Sequence, residues 1–424
     1  MKVMNSVKHR RLLVPTGREL AEAGLGTGGT PPMAIYHVVT RVVDRRFALE
    51  TEQKEHFRML LRMYERFSGC RILSYCLMSN HLHVLLEVPE GCQKGASLGL
   101  ANDELLRRLG GLYSRGYCAS VAAEIAEAEE LIAGRIHEVE GAARLEEYSA
   151  AERRKMIAAA KVRGERCLAE IHARYSYRMH SLSEFFKGLL HRFTCWYNRE
   201  NGRKGTLWES RFRSVIVEDG LAAKTMAAYI DLNPVRAGIC HDPADYRWSS
   251  YGEAVGGGRG AKKAQEGLVR AMYSFGNRAV SARSWAQGGV GKDYRKILIS
   301  AGMEQGEERG DVKTKQRVVV RKGMARGKAE VELARLAEEQ AQDLKISKVI
   351  QCRIRYFTDG AVIGSKSFVD GVFQASRERF GPKRKDGARK PRGSLGEMAG
   401  EIWSLRDLKV KGVPSLGALG TVPE

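Results

Sequence analysis

Eight cysteines are scattered along the sequence, Cys70, Cys76, Cys92, Cys118, Cys167, Cys195, Cys240 and Cys352, and no two form a CxxC pair. That absence argues against a zinc ribbon and against a disulfide scaffold. It leaves free, buried thiols in a reducing compartment as the plain reading. No stretch approaches the roughly 20 apolar residues of a membrane span, and the basic N-terminus (MKVMNSVKHRRLLVPTG) lacks the apolar run of a signal peptide. No amphipathic anchor, lipidation signal or internal repeat is present. The expectation is a cytoplasmic, nucleoid-associated protein with no membrane partner. Acidic residues are also in deficit: 50 Asp plus Glu stand against 71 Lys plus Arg, for a net charge of +21 and a pI near 9.7. Such an excess concentrates polyanions locally and speeds encounter with them. Without a membrane signal, nucleic acid is the indicated partner. A hydrophobic share of 43% is that of a globular chain, and 424 residues give room for two or three domains.

Residues 1–33 are basic, then glycine-rich, and form a flexible leader. Residues 34–43 (AIYHVVTRVV) are β-branched and predict a strand, and 52–67 carry Phe57, Leu60, Leu61 and Tyr64 at helical spacing. Two strand-like runs follow, 70–78 and 82–88, joined by a Ser79-Asn80 turn. Strand, helix, strand, strand opens a ferredoxin-like α+β domain. Residues 91–178, rich in Ala, Glu, Arg and Leu, read as a helical insertion. The core resumes at Ser181, a capping-box residue with Glu184, ahead of an apolar stripe of Leu182, Phe185, Phe186, Leu189, Leu190, Phe193, Trp196 and Tyr197. A strand near 212–218 and a helix over 220–232 complete it. Glycines in 255–260 mark a boundary to a C-terminal α/β extension (256–380) with a β-rich patch at 349–357, and a basic, poorly structured tail occupies 381–424. The core is thus 34–90 together with 179–255.

Two constellations carry chemistry. In His81-Leu82-His83 at the start of a strand, side chains two apart share a face, so both imidazoles can reach one divalent cation. With ten histidines in the chain, an HxH arises by chance in roughly one comparable sequence in four, and a half-buried structural pair is the plain alternative. Leu82, Val84 and Leu86 alternate with them, giving the opposite face a core and leaving the histidine face free. In AAYIDLNPVRAG, Tyr229 and Asn233 are four apart and stack on one helix face. The plain alternative there is a core tyrosine followed by an Asn-Pro helix stop.

Taken together, YHVVTR (36–41), YCLMSNHLHVLLEVPE (75–90), GTLWESRFRS (205–214), YIDLNPVRAG (229–238) and DYRWSSYG (245–252) resemble, in order, the REP-associated tyrosine transposases. That family is a branch of the single-stranded DNA transposases in the HUH nuclease superfamily. RIRYFTDGAVIGSKSFV (353–369) resembles a C-terminal extension of some members. The resemblance implies an HUH nuclease core, an antiparallel sheet with helices on one face. It implies that His81 and His83 bind Mg²⁺ or Mn²⁺, that Tyr229 is the nucleophile, and that Asn233 stands where relatives often have a third ligand. Here Asn233 is shorter than the glutamine of some relatives and is followed by Pro234. The implied activity is that of a DNA transposase, a single-stranded DNA endonuclease and strand transferase acting on hairpin repeats through a 5′-phosphotyrosine, as a monomer or a homodimer.

For the DNA itself, Arg192, Arg211 and Arg213 suit phosphates, and Trp208 and Phe212 suit unpaired bases; a structural turn with a buried tryptophan is an equal alternative. Lys383, Arg384, Lys385, Arg389, Lys390 and Arg392 make the tail a nonspecific phosphate-binding arm by composition, with a merely solvated tail as an equal alternative. Two other readings stay open: a non-catalytic nucleic-acid-binding protein on the same fold, and a basic nucleoid protein that binds by charge alone.

Overall fold

The computed structural model describes residues 33–91, 95–135, 148–273, 281–287, 289–309, 316–321, 323–336, 355–358, 361–377, 380, 384–389 and 402–405. The leader, apart from Pro32's successor Met33, and Lys383, Lys390 and Arg392 of the tail lie outside the described residues. Two compact units divide the chain: Met1–Lys54, Ile72–Glu87 and Thr206–Glu424 form the first, Glu55–Arg71 and Val88–Gly205 the second.

The chain begins β1 (Ala34–Arg41), α1 (Thr51–Ser68), β2 (Arg71–Leu77), β3 (His81–Val88). Helices α2 (Asn102–Leu109), α3 (Arg115–Ile132) and α4 (Ala150–Ser176) follow, then α5 (Leu182–Glu200) and β4 (Arg213–Val217). The four strands lie in the order β2-β3-β1-β4, and β4 runs antiparallel to β1 with Ile35 opposite Val217 and His37 opposite Val215. That strand order, with α1 between β1 and β2 and the four helices α2 to α5 between β3 and β4, is the ferredoxin-like α+β pattern the sequence led us to expect, carrying the expected helical insertion ahead of α5.

Beyond β4 come α6 (Leu221–Asp231), the single-turn α7 (Asn233–Arg236), α8 (Ser250–Val255), α9 (Ala261–Met272), α10 (Ala282–Ala286) and α11 (Val290–Gly302). A hairpin of β5 (Gln305–Arg309) and β6 (Gln316–Arg321) leads to α12 (Arg326–Arg335). After α13 (Arg355–Thr358), β7 (Val362–Gly364) pairs parallel to β4, α14 (Lys366–Ala375) follows, and β8 (Trp403–Leu405) closes the six-stranded sheet antiparallel to β7.

In the first unit, Ile35, Leu73, Leu85, Val215 and Val217 share one buried cluster with Ala223, Met226, Ala227 and Ile230 of α6, Leu268 of α9 and Leu298 of α11. Residues two apart on a strand share a face, so the layer of α6, α9 and α11 lies on the same side of the sheet as the histidines. The expectation that this face would be free is therefore overturned: the helices after residue 220 cover it. The glycines at 256–260 make a tight connection and no break between cores, since α9 buries Leu268 and Val269 in the same cluster. Gly267 shows how close α9 comes: a Cβ there would sit 2.3 Å from the Ile72 carbonyl oxygen.

The expected β-rich patch at 349–357 is corrected where it is described, because Arg355–Thr358 is a helical turn. The strand of this region is β7, five residues beyond the patch. Part of the presumed tail is ordered as well. Arg384 lies over the rings of Phe373 and Phe380, Ala388 donates its amide to Asp370, and β8 is a strand of the sheet.

The second unit is helical. The α1 side chains Phe57 and Tyr64 meet Phe193 and Phe185 of α5 edge-on at 5.0 and 6.0 Å. Ser181 caps α5 by accepting from the Glu184 amide, but the Glu184 carboxylate pairs with Lys187, so only one arm of the expected box forms. Gly164 lets α4 cross α3 closely, since a Cβ there would stand 2.7 Å from the Ala128 carbonyl oxygen.

Candidate active site

Register on three elements of the first unit brings the site together. His83 on β3 and His37 on the adjacent β1 point to the helix-covered face, their rings nearly parallel and meeting edge to edge with centroids 5.2 Å apart. His81, two residues before His83, meets it edge-on at 5.1 Å. Tyr229, in the last turn of α6, presents its ring edge-on to His83 at 6.0 Å and to His37 at 6.1 Å. The sequence expectation thus finds its two histidines and its tyrosine in one cluster, and a third histidine that it did not single out stands among them.

Burial governs the electrostatics. His37 and His83 are fully or almost fully enclosed, and His81 is partly so. Desolvation disfavours the imidazolium, and it pulls His37 down to about 4 against a weaker opposing pull from the Phe357 carbonyl. His81 falls to about 4 through burial and the nearby Arg41 charge. His83 falls well below the ordinary histidine range through burial, then through His81, His37 and Arg41. All three rings are therefore neutral at pH 7, the form in which an imidazole can bind a metal.

The hydrogen bonds of His81 and Asn233 decide which of their atoms are left to act as ligands. His81 Nδ1 lies 2.6 Å from Asn80 Oδ1, and the Asn80 amide is oriented by its own bond to the Arg45 carbonyl. Asn80 must then accept and His81 Nδ1 donate, which leaves the His81 Nε2 lone pair for a ligand. Asn233 donates its amide to the Tyr229 and Ile230 carbonyls at 3.1 and 3.2 Å, so Oδ1 is the atom it can offer. Among the described residues no group of three or more His, Cys, Asp or Glu side chains is arranged around a metal position. Two imidazoles plus an amide oxygen, with phosphate oxygens and water, would have to supply the coordination.

Tyr229 itself is 1% exposed. Phe357 of α13 stacks on it with centroids 4.5 Å apart, and the Arg236 guanidinium lies 5.0 Å from its ring centre. Arg236 is seven residues from Tyr229, two helical turns, a spacing that could have drawn attention to it. Phe357 gave no such signal, because its place depends on pairing of β7 with β4.

Beside this cluster, Thr40, Arg41, Ser210, Arg211 and Arg213 line a cleft together with Glu209 and Thr358. Arg211 and Arg213 are exposed, whereas Trp208 and Phe212 are buried at 8% and 5%. As they stand, neither ring offers a face to an unpaired base. Arg192 belongs to the second unit, where it is exposed and donates to the Leu112 carbonyl.

Residues 32–130 match the family described as "Transposase IS200 like". The IS200-like segment contains β1, β2, β3 and the histidine cluster, and it ends ahead of Tyr229. No curated protein matches the chain. A solved structure of a REP-associated tyrosine transposase bound to a REP hairpin is 13% identical, covering 60% of this chain and 93% of the other, with a TM-score of 0.27. A score that low does not establish a shared fold. No helix among the described residues is long and apolar enough to cross a membrane.

Proposed function

We propose that the protein is a transposase-like enzyme that cuts and rejoins single-stranded DNA, with hairpin DNA as substrate, through a phosphotyrosine at Tyr229. The observation that carries this reading is the approach of Tyr229 to His83, residues from a helix and a strand that lie far apart in sequence and meet edge-on at 6.0 Å. The IS200-like match over the histidine segment supports it.

His81 and His83, with Asn233 Oδ1, would hold Mg²⁺ or Mn²⁺. Such an ion, when bound, would supply polarisation of the scissile phosphate and offset charge on the departing 3′ oxygen. The Tyr229 oxygen forms the new bond to phosphorus as the bond from phosphorus to the 3′ oxygen breaks. The phenolic proton is released and the 3′ oxygen gains one, which gives a 5′-phosphotyrosine and a 3′-OH. Rejoining to another 3′-OH reverses the step and needs no external energy source. Arg41, Arg211 and Arg213 along the cleft suit the backbone phosphates. For DNA to reach Tyr229 from the side of α13, the Phe357 ring stacked on it would have to swing aside.

The burial of Tyr229 favours one competing reading, a DNA-binding protein on this fold that no longer cuts. A denaturing-gel assay with labelled hairpin oligonucleotides and Mn²⁺ separates the two. A protein-linked 5′ product that disappears with EDTA and in Tyr229→Phe is the expected outcome. Hairpin retention without any covalent product in the wild type would sink the nuclease reading.

A further inference from the structure

His37 has no part in the chemistry just described, yet it is a fully buried polar side chain with a partner on each ring nitrogen. Its Nδ1 lies 2.8 Å from the Phe357 carbonyl oxygen, a contact that spans 320 residues of sequence. A carbonyl oxygen can only accept, so Nδ1 carries the proton. A buried neutral imidazole holds one N–H, which makes His37 Nε2 an acceptor. His83 Nδ1 stands 3.0 Å from that Nε2 and must donate to it. The remaining nitrogen of His83, Nε2, is then a lone pair with no proton to lose. His81 reaches the same state by a separate route, through Asn80 and the Arg45 carbonyl.

We propose that His37 is a positioning residue, which relays the fixed polarity of the Phe357 carbonyl to His83 and holds that ring in the one tautomer, Nδ1–H, that can ligate a cation through Nε2. The proposal rests on the reading of His83 as a metal ligand and adds what sets its tautomer. It also gives the C-terminal segment a role in the site, since the carbonyl comes from α13. Outer partners of this kind fix ring orientation and raise ligand basicity, and their loss typically weakens metal binding about 10- to 100-fold.

The test uses the full-length protein, wild type, His37→Phe and His37→Gln, with folding checked by circular dichroism. Imidazole ¹⁵N shifts of metal-free protein report the His83 tautomer, and Mn²⁺ titration calorimetry reports affinity. In the wild type His83 should carry its proton on Nδ1. His37→Phe, which keeps a flat ring but offers no acceptor, should lose the single tautomer and bind Mn²⁺ about 10- to 100-fold more weakly. His37→Gln restores an acceptor at the Nε2 position and should recover most of that loss. A wild-type His83 protonated on Nε2 overturns the proposal, whatever the variants do. So does a folded His37→Phe with an unchanged His83 signal and unchanged Mn²⁺ affinity. A wild type that shows the Nδ1–H tautomer but binds no Mn²⁺ would instead refute the metal-ligand reading and leave the relay without a purpose. The two failures are read from different signals.

Discussion

Arg270 on α9 is the largest of the fully buried side chains among the described residues, and its removal has a calculable cost. Its guanidinium lies 2.6 Å from Glu87 of β3 and 2.9 Å from Asp219, with side-chain exposures of 2%, 0% and 32% respectively. In Arg270→Met the apolar volume is roughly kept, so the loss is electrostatic. Asp219 can turn to water and should contribute little. Glu87 cannot, and stranding one partner of a buried pair costs about 3–5 kcal/mol. At about 2–4 °C per kcal/mol for a unit of this size, the transition should fall by roughly 6–20 °C at pH 7. Burial without a counter-charge favours the protonated carboxyl. A carboxyl whose folded pKa is raised contributes stability that is present at low pH and lost as pH rises. The deficit should therefore shrink toward pH 5, and Glu87→Gln in the Arg270→Met background should recover part of it. Thermal melts followed by circular dichroism at both pH values give the answer. A variant that melts within about 3 °C of wild type at pH 7, or a deficit that does not narrow on acidification, would refute the reasoning.

Three further outcomes are expected. Phe357→Ala removes a stacked ring from Tyr229, worth about 0.5–1.5 kcal/mol, so single-turnover adduct formation should quicken about 2- to 10-fold; an unchanged or slower rate in a folded variant contradicts the need for that ring to move. Asp231 is fully buried, bonded to Tyr294 and the Tyr251 amide, and burial pushes it up to about 7 from 3.8. Its stabilising contribution is present below the unfolded value and lost as pH rises through about 7, at most about 4 kcal/mol; urea midpoints should show that slope in the wild type, and its persistence in Asp231→Asn would exclude Asp231 as the source. Arg211→Ala should weaken single-stranded DNA binding and reduce the log–log salt slope by about 0.7, measured by fluorescence anisotropy; parallel slopes would remove Arg211 from the phosphate contacts.

Local pattern made much of the site legible. Period-2 spacing in HLH and helical spacing in AAYIDLN put His81, His83 and Tyr229 on definite faces, and order along the chain supplied the ferredoxin-like strand sequence. What escaped was whatever depends on which strands become neighbours. His37 sits in YHVVTR with no partner in its own segment; only the placement of β1 beside β3 sets it against His83. The covered histidine face escaped for a similar reason, since Leu85 and Glu87 continue the same face and are met by helices more than 130 residues later. Trp208 and Phe212 illustrate the reverse error: an aromatic beside arginines reads equally as a base-stacking platform or as core, and burial chose the core.

The contact between His37 and Phe357 also bears on the order in which the molecule comes into being. During synthesis the three histidines emerge first, the proposed nucleophile well over a hundred residues later, and the segment that covers it after more than a hundred more. Until residue 357 has left the ribosome, a nascent chain can carry Tyr229 with no ring stacked on it and His37 with no carbonyl to hold. Contacts this distant in sequence also form late in folding, because the intervening loop must close first. The centre is thus completed from the far end of the chain, and any product terminated before that turn would bear the chemistry without its cover.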